Sequence, residues 1–417
     1  MQKHIYKLFI PVLLLVTGCI KDSITESYTF YRPVYKTREE VKANIKLATP
    51  TEIVQPGKIV WKDQFLYLNE FNKGIHVIDI SNPASPVNKY YIEIPGCVDL
   101  AVNGNYLYAD CYTDLVTLDI NNPAGVKLVK VIESVFPHRY YNGFLADTSK
   151  VILKWVKVDT TITSSFKRYL NHPNNNAMMM QTGNTFLAIN DASSKAAYGT
   201  AGSLARFALQ NNRLYTVSYT DLKLFNIQQA ASPLYIRSIQ FPMGNIETIF
   251  PYKQQLFIGS QSGMFIYNTT DPDNPTKLGQ FVHSRSCDPV IADDNYAYVT
   301  LWGGSFCGGF SNQLDVIDIS NLSAPSLVKT YPLSGPKGLS KDGNLLLICD
   351  GKDGVRIMDA TVAGNIKQIA VVTGFTGNDI IAQNGIAVVT AEDGLYIIDY
   401  SSPQNPKQRS FIQVSKY

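Results

Sequence analysis

The 417-residue chain balances 37 Lys and Arg against 34 Asp and Glu, a formal net charge of +3 with only 17% of residues charged. That balance excludes the basic footprint of a nucleic-acid binder and leaves no acidic tail. Five histidines, at 4, 76, 138, 172 and 283, are scattered without metal-ligand spacing, so neither a metal nor another cofactor is expected.

The first element is a targeting segment. Lys3 and Lys7 precede an apolar run from Leu8 to Val16, too short to span a bilayer, which takes roughly 20 residues. It ends in Val16-Thr17-Gly18-Cys19, which resembles a bacterial lipobox, so 1–18 read as a lipoprotein signal peptide and Cys19 as the lipidated mature N-terminus. An ordinary secretory peptide is the alternative. Ile20 replaces the Asp that retains enteric lipoproteins in the inner membrane, and Lys21-Asp22 faintly resembles a surface-export signal of Bacteroidetes lipoproteins. The expectation is an outer-membrane lipoprotein of the cell envelope, held to the membrane by its lipid, facing periplasm or exterior. Residues 19–56 are polar and irregular and read as a lipid-anchored linker and lead-in segment. No later apolar run approaches membrane-spanning length.

From residue 57 to 417 the chain repeats itself. Apolar strands end on a turn residue at Asp79, Asp119, Asn226, Asn268, Asp318, Asp359 and Asp399, with spacings of 40, 107, 42, 50, 41 and 40. Each is preceded by another strand, such as FLYLNEF or YAYVTLW, a tight turn and a third apolar strand, and a fourth follows. Four short strands per roughly 40 residues is the grammar of a propeller blade. The fold class expected is all-β, a single β-propeller of four-stranded antiparallel blades. The acids Asp79, Asp119, Asp318, Asp359 and Asp399 read as structural, each accepting backbone N–H groups of the turn behind it. A calcium site at each would need further oxygen ligands that the Asn-Pro and Ser-Pro turns do not supply.

In the second repeat, CVDLAVNGNYLYADC reads as a hairpin turning at Asn103-Gly104-Asn105, which sets Cys97 opposite Cys111 at a separation near that of a disulfide. The gap of 107 then suits one repeat plus an insertion: NGFLADTSKVILKWVKVD, from Asn142, looks like two strands of a degenerate blade, and the Met-rich HPNNNAMMM follows. Counting it gives eight blades, the preferred number; discounting it gives seven with an insertion. Farther on, HSRSCDP (283–289) faces LWGGSFCGGF (301–310). His283, Arg285 and Asp288 beside Trp302, Phe306 and Phe310 form a candidate ligand site for a sugar or peptide, pinned by a second candidate disulfide, Cys287 with Cys307. The alternative is an Arg285–Asp288 pair at a blade junction with the aromatics filling a gap. Cys349 is left as a buried thiol.

The segments HVIDIS, DVIDIS and YIIDYS resemble the motif of the LVIVD family, and lipobox, lead-in and tandem repeats together resemble the LVIVD-repeat lipoproteins of Bacteroidetes. The resemblance implies the propeller fold and an envelope address, and no shared reaction. Strand alternation places the short turns on one face of the ring and the variable loops on the other, where binding usually resides. Three functions follow in order: a non-catalytic binding or scaffold propeller with an envelope protein or glycan as ligand; a glycosidase-like enzyme using acids such as Asp110, Asp350 and Asp353; a purely structural envelope component. A monomer is expected.

Overall fold

The computed structural model describes residues 23–137, 140–141, 144–145, 150–165, 200–201, 203–204, 206–241, 245–283, 289–303 and 311–415. Two compact units divide the chain: 1–35 with 152–186, and 36–151 with 187–417.

The larger unit is a β-propeller. Seven runs of four consecutive antiparallel strands form its blades: 56–93, 100–132, 207–240, 246–282, 290–332, 339–372 and 377–413. Within each, sequence order is sheet order from the inner edge outward. The inner strands of successive blades are neighbours around a cycle, and that of blade seven meets that of blade one. Seven blades therefore close the ring among the described residues. The preferred count of eight is corrected to its alternative: around Asn142 the described residues form the ribbon Tyr140–Tyr141 with Phe144–Leu145 and a long strand, Lys150–Ser165, that pairs with Ser23–Thr37.

Packing explains why the insertion leaves the ring intact. Ala101, Tyr108 and Leu115 of blade two share one buried cluster with Phe207, Leu214 and Phe225 of blade three, and the Tyr108 hydroxyl donates to the Ala230 carbonyl at 2.9 Å. The closing seam buries Ile59, Leu66 and Ile78 of blade one against Ile381, Val388 and Leu395 of blade seven. Each strand set is apolar on both faces because it is a layer between two others.

All seven turn residues accept the N–H two positions on: Asp79 from Ser81 at 2.8 Å, Asp119 from Asn121 at 2.9 Å, Asn226 from Gln228 at 2.9 Å, Asn268 from Thr270 at 2.9 Å, Asp318 from Ser320 at 2.8 Å, Asp359 from Thr361 at 2.9 Å and Asp399 from Ser401 at 2.9 Å. Just before that turn the third and fourth strands of every blade slip register, at Val77/Ile78 in blade one and Ile397/Ile398 in blade seven for example. Such a bulge bends and twists the outer strand, and so blunts an edge that would otherwise invite pairing.

Cys97, Cys111 and Cys349 are buried thiols, none of them in a disulfide. The expected bridge fails on register: Asn103 pairs with Tyr106 and Val102 with Leu107, so the turn holds two residues instead of three. A one-residue shift sends the side chains of Cys97 and Cys111 to different faces. Cys287 and Cys307 lie outside the described residues. The lead-in segment is also more regular than its composition suggests. Helix Arg38–Lys42 carries a capping box at Thr37, and Lys46–Ala48 adds a strand to the outer edge of blade one. No described helix is long and apolar enough to cross a membrane.

Candidate functional site

On the long-loop face the inner strands begin with polar residues directly ahead of their first core residue: Lys58 before Ile59, Asp99 before Leu100, Arg206 before Phe207, Asp379 before Ile380. Position in the repeat thus gathers charge at the starts of the inner strands, most of it buried. The sequence reading did not single these residues out, because each lies in a different repeat.

Two groupings result. In the first, Lys58 Nζ donates to Asp99 Oδ2 at 2.5 Å, with each residue only 2% exposed. Asp99 Oδ2 also accepts the Arg206 N–H at 3.1 Å, and Asp99 Oδ1 accepts the N–H of Leu100 at 2.9 Å. Burial brings the Lys58 ammonium down to about 8 and lifts the Asp99 carboxyl, against the pull of each on the other. The pair ties blades one, two and three together below the surface.

The second grouping is half-buried. Trp302 ends the second strand of blade five, Lys337 leads into blade six, and Asn378 is the second residue of the inner strand of blade seven. Lys337 Nζ lies 5.6 Å from the Trp302 ring centroid and donates to Asn378 Oδ1 at 2.6 Å. Its backbone is fixed from both sides, the N–H donating to the Cys349 carbonyl at 2.7 Å and the carbonyl accepting the Thr300 hydroxyl at 2.7 Å. Burial lowers the Lys337 pKa, and the Glu392 charge opposes the shift. An indole, an ammonium and an amide meet on three rigid blades, a set suited to polar ligands with one flat apolar side.

Of the predicted site, Trp302 stands in this grouping. His283 follows the outer strand of blade four, its N–H donating to the Ser262 carbonyl at 3.3 Å. Arg285, Asp288, Phe306 and Phe310 lie outside the described residues. Lys337 and Asn378 were missed; no local pattern joins them to Trp302.

The acids nominated for catalysis have other partners. Asp110 Oδ1 accepts the N–H of Val98 at 2.7 Å and of Asp99 at 2.9 Å. Asp350 accepts those of Ser334 and Gly335 at 2.9 and 2.7 Å, and Arg356 Nε at 2.5 Å. Asp353 accepts Arg356 Nη2 at 2.7 Å and the Ser334 hydroxyl at 2.6 Å. Glu70 does the same for Val54 and Gln55 at 3.0 and 2.8 Å. A signal was present for this: Glu70, Asp110 and Asp350 each sit nine positions before Asp79, Asp119 and Asp359. These acids fasten the incoming loop of their own blade.

The LVIVD repeat model matches residues 57–91, 97–132 and 284–332. No curated protein sequence matches the chain. Among solved structures, the periplasmic gluconolactonase PpgL of Pseudomonas aeruginosa superimposes with a TM-score of 0.56 at 12% identity, over 89% of this chain and 97% of that one. A protein from Lactobacillus plantarum gives 0.55 at 10% identity, over 87% and 97%, and the computationally designed Ika8 protein 0.50 at 10%, over 88% and 92%. At such identities the likeness concerns the fold alone. Repeat and fold together make this chain a β-propeller that carries LVIVD repeats.

Proposed function

We propose that the protein is a non-catalytic binding or scaffold propeller, tethered to the outer membrane by a lipid on Cys19, that takes a glycan or an envelope protein on its long-loop face. The observation that carries the binding reading is the meeting of Trp302, Lys337 and Asn378 at 5.6 and 2.6 Å on three separate blades. The glycosidase alternative needs a pair of carboxylates roughly 5–5.5 or 6.5–9.5 Å apart, one of them able to hold or give a proton. The acids nominated for it are engaged by backbone N–H groups and Arg356.

The test is a glycan array and an envelope-extract pull-down with residues 20–417, the wild-type chain beside Trp302→Ala and Lys337→Ala. Binding by the wild type and a loss of at least about tenfold in either variant, at unchanged melting temperature, is the expected result. A ring that binds nothing, or variants that bind as well as wild type, rejects the reading. The tether is tested separately, by palmitate-analogue labelling with Cys19→Ala as control and by protease accessibility on intact cells, which reports the facing side.

A further inference from the structure

The smaller unit presents a surface of another kind. Ser23–Thr37 and Lys150–Ser165 pair as a sheet of two strands, and a two-stranded ribbon in water is marginal on its own. Seven large aromatic side chains are exposed among the described residues, and four of them fall here: Tyr28 at 44%, Phe30 at 43%, Tyr31 at 40% and Tyr35 at 47%. Thr29 Oγ1 donates to Asp159 Oδ1 at 2.5 Å, and the Ser27 and Thr161 hydroxyls lie 3.4 Å apart. Both contacts set one antiparallel register. Side chains alternate along a strand, so Tyr28, Phe30, Arg32 and Val34 share a face with Val156 and Val158. Ser27, Thr29, Tyr31, Tyr35, Lys157, Asp159 and Thr161 lie on the other.

Charge identifies the occupant of the apolar face. The two strands carry five basic residues against two acidic ones; Lys36 and Lys150 belong to the larger unit, and Arg32, Lys154 and Lys157 stand against Glu26 and Asp159 in the smaller one. A basic ribbon with exposed tyrosines suits a boundary that is apolar within and anionic at its rim. Tyr sits at the headgroup level of a bilayer with its ring buried and its hydroxyl wet, and Arg and Lys are drawn to anionic headgroups. Location agrees. Ser23 follows Cys19 by four residues, a reach of at most about 14 Å.

We propose that the Tyr28–Phe30 face of this ribbon lies on an anionic lipid surface and orients the tethered protein there. The choice of occupant rests on the tethered reading above, and the experiment separates the two. The chain beginning at Ile20 has no acyl group and retains every described residue. It is floated with vesicles of phosphatidylglycerol and phosphatidylethanolamine, and with vesicles of phosphatidylcholine alone. The expected result is flotation with the anionic vesicles, weakening as salt rises. Tyr28→Ser with Phe30→Ser weakens it by at least about tenfold, and Phe30→Trp preserves it with a blue-shifted indole emission on vesicle addition. No flotation, undiminished flotation of the double serine variant, or a Phe30-dependent dimer in light scattering would each overturn the proposal. A Phe30→Trp emission that vesicles leave unchanged does so even if the serine variant fails to fold. Flotation of this chain together with failed palmitate labelling of the full chain removes the tether and leaves the ribbon's lipid affinity standing.

Discussion

Asp318 shows how little a repeat needs in order to be stitched. One carboxylate oxygen accepts the Ser320 N–H at 2.8 Å, and Asn226 and Asn268 make the same bond at 2.9 Å in their own blades. The bond needs an acceptor and no charge. Asp318→Asn is therefore expected to leave the urea midpoint nearly unchanged, whereas Asp318→Ala lowers it. Charge matters where a cation is added. The Lys89 ammonium and Ser81 hold the Asp79 carboxyl down at about 2, and Ser401 with Arg409 holds Asp399 at about 2. The unfolded value is near 3.9, so these carboxylates release protons more readily in the folded state. Their stabilisation is full above about pH 4 and is lost as pH falls towards 2. Urea midpoints measured from pH 6 down to pH 2.5 should fall most steeply below pH 4, and less steeply in Asp79→Asn with Asp399→Asn. A double variant with the same steep fall would contradict this.

At the scale of strands and hairpins, what could be read from the chain depended on whether the determining contact was local. The turn acid precedes its own N–H donor by two positions, so the pattern is visible in any one repeat. Register was not visible in the same way. Asn103-Gly104-Asn105 offered a three-residue turn, and the hairpin takes Gly104 at φ 57° with Asn105 alone, moving every opposite pair by one. Alkylation in denaturant without reductant should accordingly label Cys97 and Cys111 fully; protection of both would restore the bridge. Contacts between blades were beyond reach for a different reason. Lys58 and Asp99 begin the inner strands of adjacent blades, 41 positions apart, and nothing local marks them as partners. Lys58→Met alone leaves the Asp99 carboxylate buried beside a lost cation and is expected to cost about 3–5 kcal/mol. Lys58→Met with Asp99→Leu is expected to recover more than half of that, because an apolar pair has no charge to desolvate. Equal destabilisation in single and double variants would show that the Asp99 bonds to Arg206 and Leu100 are what matter there.

The ring as a whole turns on the step from blade two to blade three. Ile132 ends one and Phe207 begins the next, yet the two pack as directly as blades that follow one another in sequence, sharing a buried cluster and the 2.9 Å bond from Tyr108 to Ala230. The long interval between Asp119 and Asn226 made an eighth blade the natural reading, since length alone does not say whether a segment lies in the ring or outside it. Closure decides it: blade seven meets blade one through Ile59, Leu66, Ile381 and Leu395, and Ser410 Oγ of the last strand donates to the Pro83 carbonyl at 2.7 Å. Seven wedges already complete the circle. Replacing residues 140–199 by about twenty Gly and Ser residues, a flexible span of ample reach, should leave a chain that unfolds cooperatively with its midpoint shifted by a few degrees at most. Leu395→Ala at the closing seam should by contrast cost about 2–5 kcal/mol, because the cavity opens between the two blades that have no peptide bond to hold them together. Were the excised segment a blade, its removal would leave two sheet faces unpacked, and the shortened protein would aggregate or lose its cooperative transition. A sharp transition in the excised chain together with a destabilised Leu395→Ala would place the stability of the ring in its seven sheets and the seam that closes them.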